Sequence, residues 1–551
     1  MQFAQQQDKS RDSSAFNLFK KKNALATMIC DPNMLEATLI SVYSLNTAFA
    51  KKPSSKKDVI VLIPETMKNE DIERLKELGT HVIKTSMLSF NDNMKYNSCN
   101  PAMLINLWAL FDYQKVVYFT PEIIFDNNVD QLFNFPSGSS IVNKEEFYTP
   151  LFILEPNPIT FESLVRDYKR LSSNTNSAQL FNQLLDQSFF DYSLRIPKDT
   201  LKQNVYVFDK KMKPWNFHTY HDFDWKKEYD PLGFYKWRHL SNSLRDLFNL
   251  SSDWKNKDRQ RMVCDAYLDA NSNNINHFTI QNQFSVMIST YNPERIEHLS
   301  LLIQHLLKSK KVHTVFVTWH NPNLEVPDTL YQGISEKDLD RVKVLMQSFD
   351  SLNNRFNPVN ELKTDAVYIM DDDIYIDLDD LEFTFSIWQQ RKDSVVGHFP
   401  RYHTYSPESH EATYKIIGKA PYSIILTKSM FIRSDYLFSY TCLLDSKLHE
   451  TIDSRLNCED LGFSMMASGI SNVAPTYVRP QEPMEDFGLK KGISTNSAHM
   501  PARSKCISDF ITDYWNEKDP LIKAYDTVVP FSKPVIRVGD WNRAEKNILE
   551  N

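Results

Sequence analysis

The sequence predicts an α/β protein of two domains, each with a mostly parallel central sheet flanked by helices. Short apolar runs typical of buried strands alternate with stretches of helical periodicity, and this alternation occurs in each half of the 551-residue chain. Single domains usually span roughly 100–200 residues, so the length also favours more than one. Hydrophobic residues at 42% supply the material for large cores.

The first half alternates strands with helices from residue 24 onward. Apolar runs predict buried strands at 24–30, 58–64, 81–84 and 116–119. Helical periodicity predicts helices at 34–49 and 70–79. Residues 237–250 also show a helical pattern, and the polar run 271–276 (NSNNIN) lacks side chains for a core, which is typical of a linker.

The second half restarts the same alternation. Strands are predicted at 284–289, 314–319, 342–345 and 366–370, with an amphipathic helix at 295–309. The predicted organisation is a disordered leader (1–23), a first domain (24–220), a helical connector and linker (221–276), a second domain (277–540) and a tail (541–551).

Composition excludes several classes of function. The 11 glycines never form G-x-G or G-x-x-x-x-G-K, which excludes a glycine-lined dinucleotide site and a P-loop. The net charge of −7 gives no basic footprint, so no nucleic-acid partner is expected. No window approaches 18 uninterrupted apolar residues, so no transmembrane segment is predicted, and the start of the chain lacks the apolar core of a signal peptide.

Three adjacent carboxylates, Asp371, Asp372 and Asp373, directly follow the predicted strand 366–370. Ligands bind beyond the carboxyl ends of strands in open parallel sheets, and adjacent carboxylates repel unless a cation lies between them. Their oxygens suit Mn²⁺ or Mg²⁺, which can neutralise a departing diphosphate. The alternative is a solvated acidic turn that caps a helix beginning near Leu381.

A second candidate carboxylate is Asp460, in the run 457–460 that precedes helical residues 461–467. It could stabilise or attack the anomeric carbon of a bound sugar. The alternative is that Asp460 caps the helix.

Two further groups could bind a nucleotide. His499 and Arg503 are four residues apart and are followed by Lys505, which suits diphosphate oxygens, although ordinary surface charge also explains such a trio. Asn354 and Arg355 lie in a loop between predicted strands, where an amide could read a uracil edge and a guanidinium could hold a phosphate.

Seven ordered segments between about residues 284 and 530 resemble the carboxy-terminal domain of the exostosin glycosyltransferases, glycosyltransferase family 64. They are FSVMISTYN, VFVTWHN, SLNNRFNP, AVYIMDDDIYIDLDDLEFTFSIWQQ, VGHFPR, LNCEDLGFSMMAS and HMPARSKCISDF. The resemblance implies a GT-A-type fold and an enzyme that transfers a hexosamine with retention, from UDP-N-acetylhexosamine (GlcNAc or GalNAc) to a glycan or glycoconjugate acceptor. It also implies Mn²⁺ as cofactor, with Mg²⁺ as the alternative ion.

The resemblance also implies roles for individual residues. By motif position, the implied substrate-binding residues are Asn354, Arg355, Asp371, Asp372, His499 and Arg503. The implied metal ligands are Asp373, as the more direct ligand, and Asp371, and the implied catalytic residues are Asp460 and Arg503. Residues 403–419 depart from the glycine-rich acceptor region of the family, which leaves the acceptor open.

Cys458 and Cys506 match a disulfide of that family. Such a bond would join the carboxylate segment to the arginine segment, and it would require an oxidising compartment. The resemblance therefore implies the secretory pathway (Golgi or ER), whereas a cytoplasmic protein would keep the two cysteines reduced.

The first half more loosely resembles glycosyltransferase family 8, the glycogenin-like enzymes, through ATMICDPNMLEATLISVYSL, KVVYFTPEIIFDNNVDQLF and MKPWNF. The family's metal motif falls on Thr120-Pro121-Glu122, its later histidine on Phe208 and its Asp-Gln pair on Ala178-Gln179. One carboxylate cannot hold Mn²⁺ against water, so this half is predicted to lack the transferase reaction. The alternative is a metal-independent enzyme that uses Lys210, Lys211 or Lys213 as counter-charges.

Three functional hypotheses follow. The first is a Mn²⁺-dependent retaining hexosaminyltransferase that is active in its second half. The second is an inactive glycosyltransferase fold that supports another transferase, and the third is a mannosyltransferase of the same fold. Partners expected beside donor and acceptor are further copies of the chain or other glycosyltransferases.

Overall fold

The computed structural model describes residues 22–29, 34–52, 57–85, 101–121, 123–141, 150–171, 196, 205–207, 230–248, 258–271, 274–417, 419–487 and 499–530. The chain divides into two compact units, Met1–Asn216 with Lys236–Asp253 and Phe217–Tyr235 with Trp254–Asn551. The division therefore falls within residues 217–254. The predicted leader and tail lie outside the described residues, except for Lys22 and Asn23, which begin the first strand.

Among its described residues, the first unit contains a six-stranded sheet and a separate two-stranded sheet. The strands are β1 (Lys22–Met28), β2 (Asp58–Pro64), β3 (His81–Thr85), β4 (Tyr113–Phe119), β5 (Ile123–Phe125), β6 (Ser140–Ile141), β7 (Leu151–Leu154) and β8 (Val205–Val207). The helices are α1 (Leu35–Ala50), α2 (Asn69–Glu77), α3 (Pro158–Leu171) and α4 (Pro231–Leu247), of which residues 236–247 belong to this unit. The order β3-β2-β1-β4-β7-β6 is parallel from β3 to β4 and antiparallel beyond.

Both faces of this sheet are covered by apolar cores, which explains why its strands are continuous apolar runs in the sequence. Leu25 of β1 packs in one core cluster, whereas Ala24 and Ala26 pack in another on the opposite face. Successive side chains of a strand point to opposite faces, so a strand covered on both sides must be apolar throughout.

The second unit repeats the arrangement with a seven-stranded sheet, and its described residues also form two smaller sheets of two and three strands. Its strands are β9 (Ile280–Thr290), β10 (Val312–Trp319), β11 (Val342–Met346), β12 (Thr364–Asp371), β13 (Ile374–Tyr375), β14 (Val396–Gly397), β15 (Pro400–Ser406), β16 (Glu411–Ile416), β17 (Ile424–Ile425), β18 (Ser429–Arg433), β19 (Thr476–Tyr477) and β20 (Glu485–Asp486). Its helices are α5 (Asp258–Ala270), α6 (Ile296–Leu307), α7 (Glu336–Leu339), α8 (Leu378–Gln390), α9 (Asp435–Leu443), α10 (Ser446–Arg455), α11 (Glu459–Ser471) and α12 (His499–Tyr514).

Strand order places the candidate site beyond the carboxyl ends of two central strands of this second sheet. The order is β11-β10-β9-β12-β18-β14-β19, with β11, β10, β9 and β12 parallel and β18 antiparallel to β12. The chain runs outward from β9 on one side through β10 and β11, and β12 lies on the other side. Ligands in open α/β sheets bind at such a reversal, beyond the carboxyl ends of the strands, and here β9 ends at Thr290 and β12 at Asp371.

The α/β class with parallel-rich sheets is confirmed in both units. The GT-A type for each half stays a prediction. In the first unit, Thr120 and Pro121 follow β4, whereas Glu122, Ala178, Gln179, Phe208, Lys210, Lys211 and Lys213 lie outside the described residues. Within the described ranges, no helix combines the length and apolar character needed to cross a membrane.

Candidate active site

The three aspartates at the end of β12 occupy different environments. Asp372 is 8% exposed, and its two carboxylate oxygens accept hydrogen bonds from Thr290 Oγ1 at 2.7 Å and from Arg295 Nη1 at 2.6 Å. Asp373 Oδ2 also accepts from Arg295 Nη1, at 3.0 Å. The side chain of Asp372 therefore connects the end of β12 to the end of β9 and to the start of α6.

The aspartates do not cap the helix that follows. Helix α8 begins at Leu378, and its N-cap is Asp377, whose side chain accepts from the backbone of Asp379 at 2.9 Å. The alternative explanation of the acidic run as a cap for a helix near Leu381 is therefore wrong.

Asp371 and Asp373 supply a donor set that suits a divalent cation. Asp373 Oδ1 is buried and has no hydrogen-bond partner among the described residues. Burial, together with the charges of Asp371 and Asp372, raises the pKa of Asp373 to about 6. Carboxylate oxygens are preferred ligands of Mg²⁺ and Mn²⁺, so these residues fit the implied ion.

The rest of the coordination shell would come from elsewhere. In the part of the chain that the structure describes, no three His, Cys, Asp or Glu residues are grouped so that they could hold a metal. Mg²⁺ is commonly held by one or two carboxylates together with substrate phosphates and water, and two aspartates are enough for that arrangement.

Arg355 connects the aspartates to a second carboxylate group. It lies in the 3-10 turn Leu352–Phe356 and is 8% exposed. Its Nη2 lies 3.1 Å from Asp371 Oδ1, and its Nη1 lies 3.6 Å from Glu459 Oε1. The same Nη1 donates to Thr427 Oγ1 at 2.6 Å. One buried guanidinium thus links the end of β12 to the start of α11.

Polar contacts hold the turn that carries Arg355. Asn353 Nδ2 donates to Asp453 Oδ1 at 2.8 Å, and Tyr440 donates to Asn353 Oδ1 at 2.6 Å. Asn354 is 2% exposed, and its Nδ2 donates to the carbonyl of Phe349 at 2.8 Å. The structure therefore shows Asn354 bracing this turn, and its predicted contact with uridine stays a prediction.

Asp460 and Arg503 form a buried ion pair. Asp460 is 3% exposed and Arg503 6% exposed, and Arg503 Nη2 donates to Asp460 Oδ2. Arg503 Nη1 donates to Asn457 Oδ1 at 3.1 Å, which uses the forked geometry of the guanidinium. Asp460 lies in the first turn of α11, whose N-cap is Cys458, so the N-cap explanation of Asp460 is wrong.

The other two members of the predicted trio, His499 and Lys505, belong to the same helix as Arg503, α12. His499 is the first residue of α12, and its side chain lies outside the described residues. Lys505 is exposed and pairs with Asp509 at 3.1 Å, one turn further along the helix. Of the two members of the trio whose side chains the structure describes, Arg503 lies in the buried cluster and Lys505 does not.

A disulfide joins the two segments that carry the ion pair. Cys458 is bonded to Cys506, which places the residue before α11 beside the helix of Arg503. A second bond joins Cys264 of α5 to Cys442 of α9, 178 residues apart, and the sequence gives no local pattern for it. Neither unit contains a free cysteine among its described residues.

Sequence reasoning missed Glu459 and Arg295. Glu459 is 9% exposed, and burial raises the pKa of its carboxyl group, with the negative charge of Asp460 adding to the shift. Its position beside Asp460 was visible, but its contact with Arg355, more than 100 residues earlier, was not. Arg295 had no motif signal, because its partners lie 77 and 78 residues further along the chain.

The sequence profile described as "Glycosyl transferase family 64 domain" matches residues 284–531. The chain is 32% identical over 268 residues to "Glycosyltransferase family protein 64 C3" of Arabidopsis thaliana, covering 45% of this chain and 80% of that protein. The chain belongs to glycosyl transferase family 64. The family 64 domain contains the whole cluster just described, from Thr290 to Arg503.

Two other relatives of this family 64 domain carry more specific names. "Glycosylinositol phosphorylceramide mannosyl transferase 1" of Arabidopsis thaliana is 26% identical over 253 residues, which is 43% of this chain and 74% of that protein. "Glucosamine inositolphosphorylceramide transferase 1" of Oryza sativa subsp. indica is 28% identical over 236 residues, and the chain spans 31% of that protein. The match to family 64 does not extend to the first unit, so the likeness of that unit to family 8 stays a prediction.

Proposed function

We propose that the family 64 domain is a retaining, Mn²⁺-dependent transferase that moves GlcNAc or GalNAc from a UDP-sugar to a glycan or glycoconjugate acceptor. The observation that supports it best is the link through Arg355, which lies 3.1 Å from Asp371 and 3.6 Å from Glu459. This link joins Asp371, one of the two carboxylates suited to a cation, to the start of α11, where Asp460 pairs with Arg503 of α12.

Asp371 and Asp373 would hold the ion at the end of β12. When bound, the ion supplies positive charge that neutralises the diphosphate as it leaves the sugar. Arg295 holds Asp373 through Oδ2, and Oδ1, which has no hydrogen-bond partner among the described residues, would be the oxygen that binds the ion. Asp372, tied to Thr290 and Arg295, would keep the strand end in place.

The arginines would add directional donors for the diphosphate. The Nε atoms of Arg355 and Arg503 are buried and have no hydrogen-bond partner among the described residues. Guanidinium donors bind phosphate oxygens strongly, and buried donors act in a low-dielectric site where charge stabilisation is large. Asp460 would face the anomeric carbon, where it either stabilises positive charge or attacks to form a covalent intermediate.

Mannose transfer is the second candidate. One relative is named as a mannosyl transferase and another as a glucosamine transferase, so the family 64 resemblance allows both sugars. The same aspartates and arginines would serve either reaction, because their proposed contacts are with the diphosphate and the anomeric carbon rather than with the sugar substituents.

We also propose that the first unit has no transferase reaction and that the chain can assemble with further copies or with other glycosyltransferases. Thr120 and Pro121 follow β4, at the position where the family 8 metal carboxylate is expected. A fully inactive chain that supports another transferase is the rival hypothesis. It predicts a stable hetero-complex and no Mn²⁺-dependent binding of a nucleotide-sugar.

The disulfides support an oxidising compartment. Cys458–Cys506 and Cys264–Cys442 lie in the same unit, and such bonds persist in the lumen of the secretory pathway but rarely in cytosol. We therefore favour the Golgi or ER over the cytoplasm.

A nucleotide-sugar panel tests the proposal. The purified chain is incubated with UDP-GlcNAc, UDP-GalNAc, UDP-glucose and GDP-mannose, each with Mn²⁺ and with EDTA, and hydrolysis is measured because the acceptor is open. Release of UDP from an N-acetylhexosamine donor in Mn²⁺ only is the expected result. Release from GDP-mannose would favour the second candidate, and release from no donor, together with no donor binding, would favour the inactive chain.

A further inference from the structure

A β-hairpin is fastened to the helix that carries Arg503. The backbone N–H of Ala412 donates to Ser508 Oγ at 2.8 Å, and that of Tyr414 donates to Ser504 Oγ at 3.0 Å. These N–H groups lie on β16, whose other edge pairs with β15. Side chains of α12 thus cover the outer edge of the hairpin and accept hydrogen bonds from backbone N–H groups that an edge strand would otherwise leave unpaired.

The spacing of these contacts explains why they occur as a pair. Two residues along a strand cover roughly 6.6 Å, and four residues along a helix cover about 6 Å. The distance between Ser504 and Ser508 along α12 is therefore close to the distance between Tyr414 and Ala412 along β16, so both hydrogen bonds can form together. The hairpin and α12 are fixed in register rather than at a single point.

The side chain of Tyr414, one of the two attached residues of β16, contacts Arg503 of the buried ion pair. Its ring is 6% exposed and lies 4.5 Å from the guanidinium carbon of Arg503. Arg503 also bonds Asp460 and Asn457 through its two Nη atoms, so the Tyr414 ring adds a third contact to the same guanidinium. A cation over an aromatic face is stabilised most where both groups are desolvated, as they are here.

We propose that Tyr414 is a positioning residue that holds the Arg503 guanidinium in the orientation needed at the leaving diphosphate, so that the hairpin 400–416 takes part in sugar transfer. This inference rests on the proposed function, since it assigns Arg503 to the diphosphate. Tyr414 acts through Arg503 and touches no reacting atom. Its contribution grows as negative charge develops on the leaving group, because a fixed guanidinium needs no reorganisation at that moment.

Kinetics with the best donor of the panel test the role. Tyr414→Leu removes the ring, Tyr414→Phe keeps it, and Tyr405→Leu removes another tyrosine ring from the same hairpin, whose hydroxyl contacts His410. We expect Tyr414→Leu to lower kcat about tenfold and to change the donor KM less than about threefold, from a desolvated cation–π contact. Tyr414→Phe and Tyr405→Leu should keep most of the wild-type kcat.

A second set of variants tests the attachment itself. Ser504→Ala combined with Ser508→Ala releases the hairpin without touching Arg503, and it should lower kcat in the same direction as Tyr414→Leu. A wild-type kcat in Tyr414→Leu, or an equal loss in Tyr414→Phe and Tyr414→Leu, would overturn the proposal.

A thermal measurement separates failure of this inference from failure of the proposed function. The Tm values of wild type, Tyr414→Leu, Arg503→Gln and the double variant form a cycle that needs no activity. The loss of Tm in the double variant should be smaller than the sum of the two single losses. If no donor is turned over, the proposed function fails while the cycle still decides whether the two side chains are coupled. Additive losses would overturn the contact, and coupled losses with unchanged kcat would overturn its role in transfer.

Discussion

Arg295 Nη1 donates a hydrogen bond to Asp373 Oδ2 across 3.0 Å, although the two residues are 78 positions apart in the chain. The same nitrogen binds Asp372 at 2.6 Å, so the start of α6 holds two of the three strand-end aspartates. A carboxylate that is fixed through one oxygen can present the other in a set direction. Groups that orient metal ligands in this way often matter nearly as much as the ligands themselves.

Replacement of Arg295 should weaken metal binding. We expect Arg295→Gln to reduce the affinity for Mn²⁺, measured by calorimetry in the presence of UDP, by about 10- to 100-fold, because Asp373 loses its fixed orientation. The control is Arg391→Gln, which removes an arginine paired with Asp526 at 3.0 Å. Equal Mn²⁺ affinity in wild type and Arg295→Gln would contradict this role.

The two disulfides should have separable effects. Replacement of Cys458 and Cys506 by serine should lower both stability and kcat, because the bond ties the segment of Asp460 to the helix of Arg503. Replacement of Cys264 and Cys442 should lower stability but change kcat less than the first pair of replacements does, since that bond joins α5 to α9 and neither cysteine adjoins Asp460 or Arg503 in sequence. Loss of either bond should cost about 2–5 kcal/mol, measured by denaturant unfolding. Unchanged kcat in the first pair of replacements would show that the bond does not support the site.

His398 should make stability depend on pH. It is buried, its Nε2 lies 2.9 Å from Thr384 Oγ1, and burial lowers its pKa to about 3 from an ordinary value of 6.5. Below pH 6.5 His398 binds a proton in the unfolded chain but stays neutral in the folded chain. The free energy of unfolding therefore falls as pH drops from 6.5 towards 3. The slope from this one group approaches about 1.4 kcal/mol per pH unit.

The measurement is Tm between pH 7.5 and 4.5. His398→Gln should lose Tm less steeply with falling pH than wild type, whereas His298→Gln, which replaces an exposed histidine of α6, should follow the wild-type slope. Identical slopes in wild type and His398→Gln would rule out His398 as the source of the dependence.

The sheets could be predicted because their strands are covered on both faces. Residues 59–63 form a continuous apolar run within the predicted strand 58–64, and the structure has a strand with the predicted bounds. The hairpin of β15 and β16 could not be predicted in the same way. Residues 411–416 alternate polar and apolar side chains but form no continuous apolar run, and all but Tyr414 are exposed or partly exposed, because this strand lies at an edge under α12 rather than inside a sheet.

The candidate site was predictable only where its residues are adjacent in sequence. Asp371, Asp372 and Asp373 stand out as a run after an apolar strand, but their different environments depend on Thr290 and Arg295 from another segment. The pairing of Arg355 with Glu459 joins distant positions for the same reason. Such pairings follow from the order of strands in the sheet, which no local pattern encodes.

Calorimetric titration of UDP, with Mn²⁺ and with EDTA, tests the central claim most directly. The proteins compared are wild type, Asp373→Asn and Asp379→Asn, an exposed aspartate of the same acidic stretch in the first turn of α8. We predict that wild type and Asp379→Asn bind UDP in Mn²⁺ only, and that Asp373→Asn binds it at least about tenfold more weakly, because one of two carboxylate ligands is lost. UDP binding of equal affinity in EDTA, or in Asp373→Asn with Mn²⁺, would contradict a metal-dependent site at the end of β12.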